Sequence, residues 1–240
     1  MKKVINANIM SKKLHRLSNS YLATILVVAL LFGCDYHEDS VYLGRKEAKF
    51  LGDVNSGDIE KVKEFLNEGG NVNLQDEPGM TPLHHAANTD WKGSNYEMIK
   101  FLINRGADVN AKTKSDGKTL LFAAAWGAAQ GANKSHQMYL DLTKLLLARG
   151  ADVNVKLKEG SRIKEEKPYH EKTGDTPLHK VARSYSEKHA IEVSELLFAN
   201  GAKLNERNVK EQTPLDEALA NGRNKTAEFL RKHGGKSAEE

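Results

Sequence analysis

The pentapeptide Gly-Ala-Asp-Val-Asn at residues 106–110 decides the fold of this 240-residue chain, because it recurs along the sequence. It returns unchanged at 150–154 and as Gly-Ala-Lys-Leu-Asn at 201–205, and a weaker copy, Gly-Gly-Asn-Val-Asn, stands at 69–73. A second motif alternates with it: Thr-Pro-Leu-His at 81–84 and 176–179, and Thr-Pro-Leu-Asp at 213–216. Self-similarity of this kind predicts one array of stacked units rather than two separate domains.

The sequence pattern within each unit predicts a pair of helices. Threonine followed by proline marks the start of the first helix, because threonine caps it and proline fits its first turn. Apolar residues at helical spacing then predict the second helix, as in Ile59, Val62, Phe65 and Leu66. The helix should close at a glycine, which takes the left-handed conformation without strain. The closing glycines are Gly69, Gly106, Gly150, Gly201 and Gly234.

Both motifs resemble the ankyrin repeat, a unit of about 33 residues with a turn and two helices. The resemblance covers residues 45–235 and leaves 236–240 as a tail. It implies an all-α solenoid of about five helix-turn-helix units, with hairpin loops and several insertions. The insertions are expected near 90–95 and 127–137, between the helices of their units, and at Val155–Lys172, in the hairpin before the fourth unit. The first and last units are expected to be caps with polar outer faces.

The N-terminus predicts export. Residues 1–33 contain five basic and no acidic residues, then an apolar run at 21–32 that is too short to span a bilayer but suits a signal peptide. The run ends in Leu-Phe-Gly-Cys, which resembles a bacterial lipobox and implies lipidation of Cys34. Residues 34–44 would be the tether, Asp35 favours the inner membrane over the outer, and translation could start at Met1 or Met10.

The charge of the chain argues against nucleic acid as a partner. The formal net charge is +4, but removing the five basic residues of 1–33 leaves 31 basic against 32 acidic residues. With a remaining net charge of −1, the chain lacks the basic field that is typical of nucleic-acid-binding proteins.

Cys34 is the only cysteine, so an internal disulfide cannot form.

The sequence contains no recognisable catalytic or metal-binding motif. It lacks His-x-x-x-His, Cys-x-x-Cys, Gly-x-Ser-x-Gly and a phosphate-binding loop, which predicts a non-enzymatic protein without cofactor. By resemblance, His84 and His179 are structural and hydrogen-bond neighbouring repeats. The Asp and Asn of the pentapeptides lack the dense acidic loop of a calcium site, and we expect them to bond their own turns.

The resemblance also implies a concave partner-binding face, formed by hairpin tips and first helices. Its variable positions in this chain are Glu77, Met80, Thr89, Lys118, Trp126, Asp175, Lys180, Arg183 and Glu211. Trp91, Trp126 and Tyr185 are large aromatics of the kind that anchor interfaces, or they pack the inserted loops onto the array. The segment Val155–Lys172, with six basic and four acidic residues, is either a solvated flap or a finger that orders on the partner.

These features together predict a monomeric interaction module, lipid-anchored in a bacterial envelope and facing the periplasm. One narrower hypothesis is an immunity or inhibitor protein that neutralises an envelope-acting toxin, such as a lipase effector. The other is an assembly or protective factor for another envelope protein. An enzyme with an unrecognised site is the alternative from a different class.

Overall fold

The computed structural model describes residues 44–88, 95–130, 134–158 and 174–240. The predicted signal peptide, Cys34, Asp35 and the tether up to residue 43 lie outside the described residues. So do Thr89, Trp91, the insertion at 90–94 and residues 159–173 of the inserted hairpin.

Ten helices occupy the described part of the chain and form five successive pairs. The pairs are α1 Arg45–Ser56 and α2 Ile59–Asn67, α3 Pro82–Asn88 and α4 Tyr96–Asn104, α5 Leu120–Gln130 and α6 Lys134–Ala148, α7 Pro177–Ala182 and α8 Glu187–Ala199, and α9 Pro214–Ala220 and α10 Asn224–Lys232. The first helices pack in the order α1, α3, α5, α7, α9, and α6, α8 and α10 pack in sequence behind them. The predicted all-α solenoid of five units is confirmed.

One continuous apolar core runs through all five pairs. Leu83, Met98, Leu121 and Leu178 lie inside it. Phe198 differs, because it follows Leu197 on α8 but turns outward, remaining 40% exposed. Its ring meets His233 edge-on, with 5.4 Å between the ring centroids. The core therefore follows the helical period, and Phe198 lies at its outer boundary.

Lengthened helices take up most of the insertion predicted as a loop at 127–137. Helix α5 continues to Gln130 and α6 begins at Lys134, so the prediction of an inter-helix loop here is wrong for most of these residues. Ala-rich sequence favours the helical extension. His136 and the Ser184 hydroxyl donate to the carbonyls of Ala128 and Ala129, each at 2.7 Å, and so satisfy the end of α5.

The closing glycines adopt the predicted left-handed conformation. Their φ angles lie between +82° at Gly150 and +94° at Gly234. The amide after each glycine donates back into the preceding helix, for example from Ala107 to Leu102 at 3.0 Å. These turns direct the chain out of each second helix toward the next hairpin.

The C-terminal tail is part of the last unit. The amide of Ala238 donates to the Asp216 carboxylate at 3.0 Å, and Thr213 donates its hydroxyl to the Lys236 carbonyl at 2.8 Å. Arg207 also donates to the Ala238 carbonyl at 3.0 Å. Residues 236–240 therefore cover the side of the fifth unit where a further hairpin would stack.

Candidate functional site

A row of asparagines fastens each unit to the next. The side-chain NH2 group of each asparagine donates to the carbonyl of the closing glycine in the next unit. Its side-chain oxygen accepts a hydrogen bond from a backbone amide of the same turn. Asn110, for example, donates to Gly150 at 3.0 Å and accepts from Asp152 at 2.7 Å. The same pairs of bonds are made by Asn73, Asn110, Asn154 and Asn205.

The pentapeptide aspartates have a different role from the asparagines. Asp108 and Asp152 accept the amide two residues later, at 2.8 and 2.9 Å, so they bond their own turns as expected. The asparagines were expected to do the same, and that expectation is wrong because their side chains cross to the next unit. Because each pair of bonds fastens one turn to the next, the row links all five units into one preformed edge.

The Thr-Pro-Leu-His motif caps the N-terminus of the first helix in its unit. In the fourth unit, the Thr176 hydroxyl and amide both donate to Nδ1 of His179, at 2.8 and 3.2 Å. The opposite ring nitrogen of His179 then donates to the Gln212 carbonyl of the fifth unit at 3.0 Å. This confirms the structural role expected for His179, and His84 makes the same contacts with Thr81.

Both motif histidines resist protonation. Burial lowers the pKa of His84 and of His179 below the ordinary value of 6.5. The geometry agrees, because Nδ1 of His179 accepts two hydrogen bonds that a proton on this atom would break.

We expect the stability of the array to fall as the pH is lowered from about 7.5 to 5.5. Below 6.5 the unfolded chain binds protons that the folded chain does not, so acid shifts the equilibrium toward unfolding. Urea unfolding at both pH values measures the loss. The double variant His84→Gln/His179→Gln should lose less stability over this range, and an unchanged pH dependence would contradict the assignment.

Two carboxylates, Asp116 and Asp216, affect the stability of the array at a lower pH than the histidines do. Burial alone would raise the pKa of Asp116, but hydrogen bonds from Thr113 and Lys118 outweigh it and hold that pKa below 3.8. The pKa of Asp216 is lowered in the same way, with Thr213 and the tail as donors. Their contribution to stability is therefore lost only as the pH falls below about 4.

The predicted site residues in the hairpins are accessible to different extents. Glu77 and Glu211 are exposed, whereas Met80 and Lys118 are half-buried. The Lys118 ammonium lies 2.9 Å from the Asp116 carboxylate within its own hairpin. These residues lie where the resemblance places them, at the edge of the array.

Trp126 and Tyr185 each lie beside a cation from the next unit. The Lys180 ammonium is 4.2 Å from the centroid of the half-buried Trp126 ring. The Arg223 guanidinium is 4.6 Å from the centroid of Tyr185, which is 54% exposed. Trp126 thus packs between units, and Tyr185 presents an aromatic surface held from one side by Arg223.

Arg183 is not at the surface. It is 1% exposed and forms ion pairs with Asp175 and with Glu217, its Nη1 lying 3.4 Å from a Glu217 oxygen. Asn208 joins the two carboxylates by donating to Asp175 at 3.0 Å and to Glu217 at 3.2 Å. Both carboxylates are 0% exposed. The structure therefore does not present Arg183 as the accessible partner contact that the sequence predicts.

In units three and four, the predicted site residues on the first helices contact the neighbouring unit instead of facing solvent. Counted from the motif threonine, Trp126 and Arg183 hold the same place in successive units. Each contacts the residue four positions after the next motif threonine, Lys180 or Glu217 respectively. Because Asp175 and Lys180 are also buried, they are not accessible to a partner either. The accessible part of the predicted face is the line of hairpins together with Tyr185.

The structure thus defines a class of protein, a helical solenoid with a preformed edge of stacked hairpins. A family model described as ankyrin repeats matches residues 52–157 and 132–239. The chain therefore belongs to the ankyrin-repeat family, whose members are in general non-catalytic protein-interaction modules.

Two curated relatives illustrate the similarity. The mouse protein "Ankyrin repeat, SAM and basic leucine zipper domain-containing protein 1" is 36% identical over 95 residues, covering 40% of this chain and 18% of the relative. Human "Rabankyrin-5" is 27% identical over 195 residues, covering 81% of this chain and 16% of the relative. The chain thus spans less than a fifth of the length of either relative.

Two further observations bear on chemistry and on membranes. In the ranges the structure describes, no group of three His, Cys, Asp or Glu residues is arranged to hold a metal ion. Over the same ranges, no helix combines the length and apolarity needed to cross a bilayer.

Proposed function

We propose that this chain is a stoichiometric protein-binding module of a bacterial envelope, which acts by occupying a partner rather than by catalysis. The observation that carries the proposal is Tyr185, an aromatic that is 54% exposed in the turn between α7 and α8 and lies against Arg223 of the next unit, in an array whose units the asparagine row fastens together. Exposed aromatics on rigid elements are the usual anchors of interfaces. Binding to a preformed face also avoids the cost of ordering the protein.

The location forms a second part of the proposal. Cys34 would carry the lipid, residues 34–44 would hold the repeats away from the bilayer, and Asp35 favours the inner membrane. The motivation is the order of basic region, apolar run and Gly-Cys in residues 1–34. Several acyl chains on one cysteine would provide firmer anchoring than one chain gives.

The anchor can be tested by labelling cells with an alkyne-bearing fatty acid and fractionating their membranes. We expect the wild-type chain to carry the label and to sediment with membranes, whereas Cys34→Ser should do neither. A labelled Cys34→Ser variant, or an unlabelled wild type, would overturn the anchor and leave the binding function to be decided separately.

Two partner classes fit a tethered binder. The first is a toxic enzyme that attacks the envelope, such as a lipase, which the chain would neutralise by covering its active site. The second is a resident envelope protein that the chain would assemble or protect. A preformed face suits both, and the identity of the captured partner decides between them.

Capture from crosslinked envelopes, followed by mass spectrometry, tests the binding function. We expect one dominant protein, bound at a one-to-one ratio by purified components. Inhibition of that partner's enzymatic activity would assign the inhibitor function. Restored folding or lifetime of the partner would assign the protective one, and the absence of any saturable protein ligand would refute the proposal.

Replacing Tyr185 by alanine should weaken partner binding by about tenfold or more, since interface aromatics of this kind contribute about 1–2 kcal/mol or more. Calorimetric titration of the captured partner measures the effect. Phe198→Ala is the matched control, because Phe198 is 40% exposed but lies on α8. Equal affinity of the Tyr185→Ala variant and the wild type would remove Tyr185 from the interface.

A further inference from the structure

Two neighbouring hairpins carry a local excess of positive charge. Residues 111–118 and 155–158 hold five lysines and one aspartate, a net charge of +4, although the chain after residue 33 has a net charge of −1. We call these two segments the lysine strip. Lys112, Lys114, Lys156 and Lys158 of the strip are exposed.

Among the residues that the structure describes, few carboxylates pair with these lysines. Lys118 pairs with Asp116, and Lys156 pairs with Glu206 of the next hairpin. Within the described ranges, no carboxylate lies at ion-pair distance from the ammonium groups of Lys112, Lys114 or Lys158. The adjoining segment 159–172 has four basic and four acidic residues in the sequence, so it brings no net charge to offset the strip.

Two lysines of the strip, Lys114 and Lys158, are held by contacts of their backbone and of the start of their side chains. The backbone amides of Lys114 and Lys158 donate to Pro78 and Asp116 of the preceding hairpins, both at 2.9 Å. Their stems cross over glycines, because a Cβ added at Gly79 would lie 2.6 Å from Cγ of Lys114 and one at Gly117 2.8 Å from Cγ of Lys158. Packed stems lower the entropy that these cations lose when they meet a ligand.

The surroundings of the strip fit a protein ligand. Lys114 and Lys158 each follow an asparagine of the asparagine row by four positions. The equivalent residues of the first and last hairpins are the exposed Glu77 and Val209. Val209 is 59% exposed. A cationic centre bordered by an acidic and an apolar residue matches the mixed rim of a protein interface. A nucleic acid or an anionic membrane would extend beyond the strip and also meet the net negative remainder of the chain, whereas a short acidic protein segment can contact the strip alone.

We infer that the lysine strip receives an acidic segment of the protein partner, with carboxylates meeting Lys112, Lys114 and Lys158. This inference rests on the proposed binding function and deepens it by naming the chemistry of the ligand. Charges at such a rim act chiefly on the rate and specificity of association. Binding should therefore weaken as the salt concentration rises.

The test compares two triple charge reversals of the full chain. The first is Lys112→Glu/Lys114→Glu/Lys158→Glu. The second, a matched control on the outer helices, is Lys144→Glu/Lys188→Glu/Lys225→Glu, whose lysines are exposed on α6, α8 and α10. The probe is a labelled 12-residue polyglutamate peptide, titrated by fluorescence anisotropy at about 50 mM salt, below physiological ionic strength.

We expect the strip variant to bind the peptide at least about tenfold more weakly than wild type, and the control variant to stay within about threefold. Equal weakening in both variants would show a net-charge effect and overturn the inference. An unchanged strip variant, or strip-dependent binding of phosphatidylglycerol vesicles without binding of the peptide, would overturn it as well. If the strip variant does not fold, Lys→Gln versions of both sets replace the reversals.

Zero-length carbodiimide crosslinking in envelopes separates this inference from the binding function. The reagent joins lysine ammonium groups to carboxylates, so links from Lys112, Lys114 or Lys158 to a partner's Asp or Glu support both. Links only from lysines of the outer helices would overturn the inference about the lysine strip but would still support the binding function. A captured partner that forms no carbodiimide link to these lysines would likewise overturn the strip alone, whereas the absence of any saturable protein ligand would overturn the binding function.

Discussion

Replacing Arg183 by alanine should lower the free energy of unfolding by about 3–5 kcal/mol, the largest effect we expect from one side chain. The substitution leaves Asp175 and Glu217 fully buried without their shared cation. A buried ion pair adds little net stability, but removing one partner exposes the full cost of the remaining charge. Urea unfolding of the purified repeats, monitored by circular dichroism, measures the loss.

Two variants keep this expectation testable. Arg231→Ala removes an exposed arginine of α10 and should change the free energy of unfolding by less than about 0.5 kcal/mol. Arg183→Met/Asp175→Asn/Glu217→Gln neutralises the whole cluster and should recover much of the stability lost in Arg183→Ala. A loss below about 1 kcal/mol in Arg183→Ala would show that the two carboxylates do not depend on this cation.

Replacing Asn154 by alanine should cost about 2 kcal/mol and loosen the junction between the fourth and fifth units. Its side chain donates to Gly201 and accepts from Lys203, both at 2.9 Å, and each such bond contributes about 0.5–1.5 kcal/mol. Because repeat proteins are stabilised through their interfaces, we also expect a broader unfolding transition. Calorimetry reports both the midpoint and the breadth.

The matched control for the asparagine row is Asn200→Ala. Asn200 is exposed, and its side-chain amide donates to the Leu196 carbonyl of α8 at 2.8 Å. It should therefore cost clearly less than Asn154→Ala and leave the breadth of the transition unchanged. Equal losses in the two variants would mean that the bonds between units add nothing beyond a local turn contact.

The parts of the fold that could be predicted from the sequence are those whose interactions repeat with the motif. Thr176, Pro177 and His179 interact within four residues, so their meaning is local and readable. The glycine that ends each second helix is equally readable, because its backbone conformation excludes most side chains. The array architecture, the starts of the first helices and the ends of the second helices followed from these positions.

The candidate site was less predictable because its contacts join distant positions. Arg183 occupies a place that the family uses for partner contact, and nothing adjacent to it in the sequence signals burial. Its acceptors come from 175 and 217, and Asn208 reaches both. The sequence does contain one signal of this contact. Arg183 of the fourth unit and Glu217 of the fifth have opposite charges, and they occupy repeat positions that are adjacent across the boundary between units.

The insertions show a similar limit. Extra residues at 127–137 were counted correctly, but a count does not distinguish a loop from longer helices. Gly127 allows the close packing, because a Cβ there would lie 2.5 Å from the Tyr139 ring. Such an approach between α5 and α6 could be seen only once both helices were placed.

Hydrogen–deuterium exchange of the chain with and without its captured partner tests the central claim most directly. The account predicts slower exchange in the hairpins 111–118 and 155–158 and in the turn around Tyr185, with the outer helices α2, α4, α6, α8 and α10 unchanged. Protection confined to those outer helices would contradict the account, because the partner would then bind the opposite side of the array.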